Sequence, residues 1–251
     1  MNKNPSTLVT QTPDTQRRHL IHFTLATAAL MVAGSPRHAW AFGLSDLSQA
    51  DAGAGVRGAL EQGANIAVKL LGKQDGFWGN DAVRILLPDW MQKAEKGLKL
   101  LGRGKDIDAL KLGINRAAEQ AVPASIDLLK GAVKSMTLQD AKSLLSGRDN
   151  SVTTFFKDKT RDPLTDKFMP IVTDVTGRIG LANQYNQMSD KITQTGLVKV
   201  RPEQATVERH VTTKALDGLY YMIGEEEKKI RTNPAGAGSE ILTRVFGSLR
   251  R

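Results

Sequence analysis

Glu226 is the residue of this chain whose position makes the sharpest chemical demand. On a helical wheel through residues 211–231 it falls near the middle of the face formed by Val211, Ala215, Leu219, Met222, Ile223 and Ile230. A carboxylate on that face is partly buried, so it needs a cation, a set of hydrogen bonds or a proton of its own. Arg84, inside the apolar segment 83–87, is the first partner the sequence nominates, and Arg116 is the second. Arg116 and Glu119 lie one turn apart in Asn115-Arg116-Ala117-Ala118-Glu119, away from the alanine and isoleucine face of their helix. They form either an exposed pair or a second polar interface. With Asp217, these residues make up the candidate buried polar cluster: Glu226, Arg84, Arg116, Asn115, Glu119 and Asp217. Glu226 is expected to fix helix register through an ion pair, or else to contact a ligand or act as an acid with a raised pKa. Glu225, Glu226 and Glu227 are consecutive and point in three directions, so by themselves they cannot chelate one ion. Glu227 reaches Arg231 at the i+4 spacing of an ordinary surface pair.

Other chemistries are thinly supplied. There is no cysteine, which removes disulfides, thiolate metal sites and cysteine nucleophiles. Three of the four histidines, His19, His22 and His38, fall in an N-terminal export segment, leaving His210, read as a surface residue of the last long helix. No metal or cofactor site is expected. A serine beside a lysine, at Ser143 or Ser189, has no supporting context, and the glycine pairs 102/104 and 236/238 lack the setting of a phosphate loop. Phe77, Trp78, Trp90, Tyr220 and Tyr221 could line a pocket or an interface, with Asp75 beside them, although such aromatics are more often core.

Residues 1–41 read as a cleavable signal peptide: Arg17-Arg18, the apolar run 20–33, and Ala39-Trp40-Ala41 as the cleavage site. The arginine pair ranks the twin-arginine route ahead of general secretion. The expected destination is the periplasm, and the apolar run is too short and too flanked by charge to favour a stable membrane span. The whole chain has 251 residues and a net charge of +9; losing Lys3, Arg17, Arg18, Arg37 and Asp14 leaves the remainder basic. Its charges are scattered in mixed-sign stretches with few aromatics among them, the pattern of solvated helix faces and not of a nucleic-acid surface.

The elements that must position these residues are helices. Residues 51–71 carry Val56, Leu60, Ala64, Ala67 and Leu71 at three- and four-residue spacing, closed by Gly72. A turn-rich loop, KQDGFWGN, follows over 73–80, then a short stretch over 83–87, an extended segment or a buried turn, before Pro88, which begins a helix to about residue 101. A longer helix starts at Asp106 and meets a kink or break at Pro123. Thr137 caps a helix over 138–146 that ends at Gly147, and Asn150 or Ser151 starts the next, through Phe155 and Phe156. Asp162-Pro163 opens a separate helical stretch reaching about residue 191, interrupted by Pro170 and Gly177. Residues 197–201 are read as extended, Pro202 as the start of the last long helix, and 241–246 as a short terminal helix after a glycine-rich bend. The expectation is an all-α, irregular multi-helix domain over 42–251 with few or no strands.

Several of these motifs, taken in order, resemble one bacterial family. They are Asp75-Gly76-Phe77 with Asn80, Val83-Arg84-Ile85, Leu87-Pro88, Asn115 to Glu119, Lys214 to Leu219, Glu225 to Glu227, Ile230-Arg231, Pro234 and Val245-Phe246-Gly247. The family is that of domain of unknown function 4197, and the resemblance covers about Leu44 to Gly247. It implies an exported helical protein and carries no activity. Phe155-Phe156 stands where the family pattern has a tyrosine-phenylalanine pair, and the lipidation cysteine of some members is missing. The leading functional expectation is a non-enzymatic periplasmic protein that binds a protein partner or a small apolar, lipid-like ligand. The alternative is a carboxylate-dependent hydrolase of cell-envelope material, with Glu226 as acid and Arg84 or Arg116 placing an anionic substrate.

Overall fold

A computed structural model describes residues 49–100, 102, 104–148, 150–178, 180, 182–183, 185–186, 190, 194 and 201–233. The signal segment, the extended reading of 197–200, the bend at 236–238 and the helix at 241–246 lie outside the described residues.

Helices carry the chain throughout: α1 (Gln49–Leu71), α2 (Asp89–Leu100), α3 (Gly104–Ala121), α4 (Ile126–Lys134), α5 (Leu138–Ser146), α6 (Ser151–Arg178) and α7 (Val207–Thr232). Among the described residues there is no strand, and no helix is long and apolar enough to cross a membrane. The all-α expectation holds. Local signals set most boundaries where the sequence puts them. Pro88 precedes α2, and Pro123 converts the end of α3 into a 3-10 turn, Val122–Ser125, before α4. Thr137 caps α5 through a reciprocal capping box with Asp140, and Gly147 ends it.

Two boundaries differ from expectation. α6 is one helix of 28 residues that runs through Pro163 and Pro170 without a break. Both prolines sit on its exposed side, where water can satisfy the carbonyls they free. The opposite stripe, Phe156, Leu164, Phe168 and Val172, is fully buried. Each such side chain stabilises the helix by ~1.5–3 kcal/mol, enough together to outweigh a proline cost of ~3 kcal/mol apiece. α7 begins at Val207, not at Pro202. Pro202–Gln204 form a 3-10 turn, and Thr206 is the cap, accepting the Arg209 N–H on its side chain.

α7 is the hub. It packs against α6, α1 and α3, and α4 and α5 close over α1. Because it is enclosed on more than one side, its buried residues spread around the wheel, with Leu216 and Tyr220 as well as Ala215 and Leu219 inaccessible. Tyr220 crosses to α6 through a 2.9 Å hydrogen bond with Thr160. Gly218 is small for a specific reason: the ring of Phe77, wholly buried, rests on it, and a Cβ there would lie 2.7 Å from Phe77 Cε1. Gly218→Ala is therefore expected to lower stability by ~1–3 kcal/mol through overpacking. Gly131→Ala, on an exposed position of α4 where a Cβ meets nothing within 4 Å, should raise it by ~0.4–1 kcal/mol. Urea unfolding midpoints of the two variants check both signs.

Candidate functional site

The site is assembled from a loop, an extended segment and a helix face. The loop 73–80 makes a sharp turn at Asp75, whose φ of 61° lies in the left-handed region that aspartate tolerates. A Cβ at Gly76 would stand 2.3 Å from the Leu71 carbonyl oxygen, so only glycine fits there. Glu119 on α3, 4 % exposed, holds the loop. Its Oε1 accepts the backbone N–H of Phe77 at 3.0 Å and of Trp78 at 3.1 Å. Its Oε2 accepts Arg116 Nη1 at 2.7 Å, and Arg116 Nη2 continues to Asp75 Oδ1 at 2.8 Å. The Glu119 and Asp75 hydrogen bonds raise the Arg116 pKa. Of the two readings of this pair, the polar interface is the one formed.

The chain turns through residues 81–83 and then runs over 84–88 in no helix and no sheet, with Val83, Ile85 and Leu87 buried and Leu86 exposed in the alternation of an extended chain. Side chains take the place of a neighbouring strand. One turn before Glu119, Asn115 presents its carboxamide to Ile85, accepting the Ile85 N–H at 2.8 Å and donating to the Ile85 carbonyl at 2.9 Å. His210 Nε2 donates to the Leu86 carbonyl at 2.8 Å, and Gln92 donates to that of Leu87. A carbonyl only accepts, so His210 carries its hydrogen on Nε2. Arg84 stacks over the Trp78 ring at 5.3 Å, donates to the Trp78 carbonyl at 2.6 Å and pairs with Asp81 at 2.8 Å.

Between this segment and α7 lies an open cleft of about 420 Å³. His210, Lys214, Asp217, Gly218 and Tyr221 form its α7 wall, residues 82–89 the opposite wall, and Arg201 and Gln204 one end. Leu86 and Tyr221 present apolar surface, at 59 % and 46 % exposure. The charges are set against opposite ones: Lys214 lies 3.7 Å from Asp217, which also meets Arg161 at 3.1 Å, and Arg201 lies 3.7 Å from Asp89.

The fold thus gathers Asp75, Phe77, Trp78, Arg84, Asn115, Arg116 and Glu119 in one neighbourhood, and Asp217 and Tyr221 on the cleft. Phe77, Trp90 and Tyr220 are core, and Trp78 is half-buried. Glu226 stands apart. It is 5 % exposed, as its place on the wheel demands, but it packs over Gly63 of α1 and pairs with Lys229 at 2.7 Å, not with Arg84 or Arg116. The sequence reading also missed two residues. His210 is buried at 2 % exposure, with its ring stacked on Tyr185. Glu227 is no surface pair: it too is 5 % exposed, and it caps α6 by accepting the N–H of Val152 at 3.2 Å and of Thr153 at 3.3 Å. Arg231 bonds the same carboxylate at 2.9 Å and reaches the Leu144 carbonyl and the Ser151 hydroxyl, both at 2.8 Å. The i+4 spacing to Arg231 was a visible signal for Glu227; the α6 terminus it meets was not.

Two predictions distinguish these roles. Glu227→Gln removes a buried carboxylate shared by the Arg231 guanidinium, 15 % exposed, and the first N–H groups of α6, and should cost ~3–5 kcal/mol. Glu226→Gln, whose partner Lys229 is 65 % exposed, should cost under ~1 kcal/mol; chemical denaturation of both variants measures the gap. The second concerns pH. Desolvation lowers the His210 pKa, the bond to the Leu86 carbonyl raises it, Lys214 and Arg201 lower it, and Asp89 raises it, with a net fall. The unfolded chain therefore binds the proton more readily, so His210's contribution to stability is complete above about pH 6.5 and is lost as pH falls through the folded value. Between about pH 7.5 and 5, the unfolding midpoint of the native protein should drop further than that of His210→Gln, which keeps a donor but does not titrate. Parallel curves would show that His210 does not titrate with folding.

No curated protein and no solved structure matches the chain. A family model described as "Protein of unknown function (DUF4197)" matches residues 46–247, a span that contains the loop, the Asn115–Glu119 clamp and the whole of α7. The chain belongs to that family.

Proposed function

We propose that this protein is exported to the periplasm and acts there as a binding protein without catalysis of its own, receiving its partner in the cleft between residues 82–89 and α7. The observation that carries this reading is an accessible cleft on a fixed frame. Leu86 and Tyr221 expose apolar surface there, while the walls behind them are held by Asn115, His210, Gln92 and Glu119. A volume of about 420 Å³ is in the range of ligand-holding clefts, ~300–1,000 Å³.

Two other hollows support binding less well. The apolar void beside Ala59, Val152 and Ile223 measures about 20 Å³, room for roughly one water, so it offers no space for a lipid chain. A more open depression of about 720 Å³ near Gly72 and Pro123 has its arginines engaged, Arg116 with Glu119 and Asp75, and Arg178 with Asp174. Hydrolysis through Glu226 required Arg84 or Arg116 beside it, and neither is its partner. A protein segment fits the polar and apolar mixture of the cleft better than a wholly apolar ligand does.

A photo-crosslinking amino acid placed at Tyr221 in living cells tests the reading, with the same group at exposed Leu138, outside the cleft, as the control. A discrete light-dependent adduct from position 221 that is missing from position 138 is the expected result. Equal labelling from both positions, or none from 221, would remove the cleft as the binding site.

A further inference from the structure

The edge of the extended segment that faces α7 has a specific hydrogen-bonding vacancy. In an extended chain successive residues direct their N–H and C=O groups to opposite sides. Ile85 turns both of its groups to Asn115 on α3. Arg84 and Leu86 therefore turn theirs the other way, and the bond from His210 of α7 to the Leu86 carbonyl shows that this way is toward the cleft. The Arg84 N–H is used in the turn, donating to the Asn80 carbonyl. Among the described residues, the Arg84 carbonyl and the Leu86 N–H have no protein partner. An acceptor and a donor thus flank Ile85 on the cleft side.

That spacing defines its complement. In a parallel pair, a single residue of the incoming strand donates its N–H to residue i−1 and accepts from the N–H of residue i+1. With Ile85 as residue i, those two groups are the Arg84 carbonyl and the Leu86 N–H. Antiparallel entry would instead draw on the Leu86 carbonyl, which His210 already holds. Charge does not choose the occupant, because the cations of the cleft are set against Asp81, Asp89 and Asp217. Backbone complementarity does, with Leu86 and Tyr221 left to contact apolar side chains of the incoming chain.

Building on the binding reading above, we propose that the cleft is a strand-addition site. An extended polypeptide segment lies parallel to residues 84–87, and one of its residues donates its N–H to the Arg84 carbonyl and accepts from the Leu86 N–H.

The probe is a phage-displayed library of random ten-residue peptides panned on the purified full chain, with the selected peptide resynthesised for binding and amide-exchange measurements. Leu86→Pro removes an N–H that has no partner within the protein, at an exposed position, and also shortens the side chain; Leu86→Ala, which shortens the side chain and keeps the N–H, is its control. Leu86→Pro should bind the peptide about 10-fold or more weakly than Leu86→Ala does. In the native protein the Leu86 amide should exchange rapidly alone and become protected with peptide. N-methylation along the peptide should abolish binding at one position and be tolerated at its two neighbours, whose amides point away. These last two measurements stand even if the proline variant does not fold. Three results would overturn the proposal: a folded Leu86→Pro that binds the peptide as well as Leu86→Ala does, a Leu86 amide already protected in the free protein, or a library that yields no peptide protecting it. Any of these together with a specific adduct at Tyr221 would leave the cleft as a binding site that works by side-chain contacts alone.

Discussion

The arrangement of this protein depends on one buried carboxylate. Glu119 is buried on α3 one turn after the buried Asn115, and its charge is tolerated because three donors converge on it: two backbone N–H groups and the Arg116 guanidinium. Those two N–H groups belong to a loop that could not hold its path alone, with a left-handed aspartate at its start. Fixing the loop does two further things. It ties α3 to α7 through Phe77, whose N–H bonds Glu119 and whose ring rests on Gly218, and it sets where the chain leaves the loop and enters the extended segment. The cleft is a consequence of that exit. Loss of Glu119 would free the loop, unseat Phe77 and move one wall of the cleft in a single event.

An extended segment inside an all-helical domain poses a problem that strands normally solve for one another. Its backbone groups must be satisfied, and here each solution comes from a different helix: Asn115 from α3, Gln92 from α2 and His210 from α7. The segment is consequently a reporter of how those helices are placed. The far end of α7 is tied just as firmly, by Glu227 and Arg231 to the start of α6 and the end of α5. α7 therefore fixes both the cleft wall and the closure of the bundle, which accounts for the concentration of polar groups at buried positions along it.

Much of this was legible in the sequence where the cause was local. Gly72, Pro88, Thr137 and Gly147 punctuate helices through their own backbone preferences, and they mark boundaries in the structure. The burial of Glu226 followed from its neighbours on the wheel. What a single element cannot reveal is which partner it meets. Glu227 turned out buried as well because α7 is covered by α6 in addition to α1, a condition no periodicity within α7 encodes. The burial of His210 likewise depends on the extended segment and Tyr185 closing over it. The prolines of α6 were misleading for the converse reason: a strong local signal was outweighed by a buried stripe whose reward is tertiary.

The segment 83–87 also resolves a conflict between accessibility and self-association. A long exposed strand edge invites pairing with any other chain. Here the usable edge is reduced to one acceptor and one donor, because Asn80 takes the Arg84 N–H before it, His210 takes the Leu86 carbonyl after it, and Pro88 ends the segment with no N–H to offer. A single pair of hydrogen bonds is too weak to recruit a strand by itself, so a guest must also satisfy the surfaces of Leu86 and Tyr221. Selectivity then resides in the side chains on either side of one residue while the backbone fixes orientation. Asn80, His210 and Pro88 therefore limit what the segment can capture.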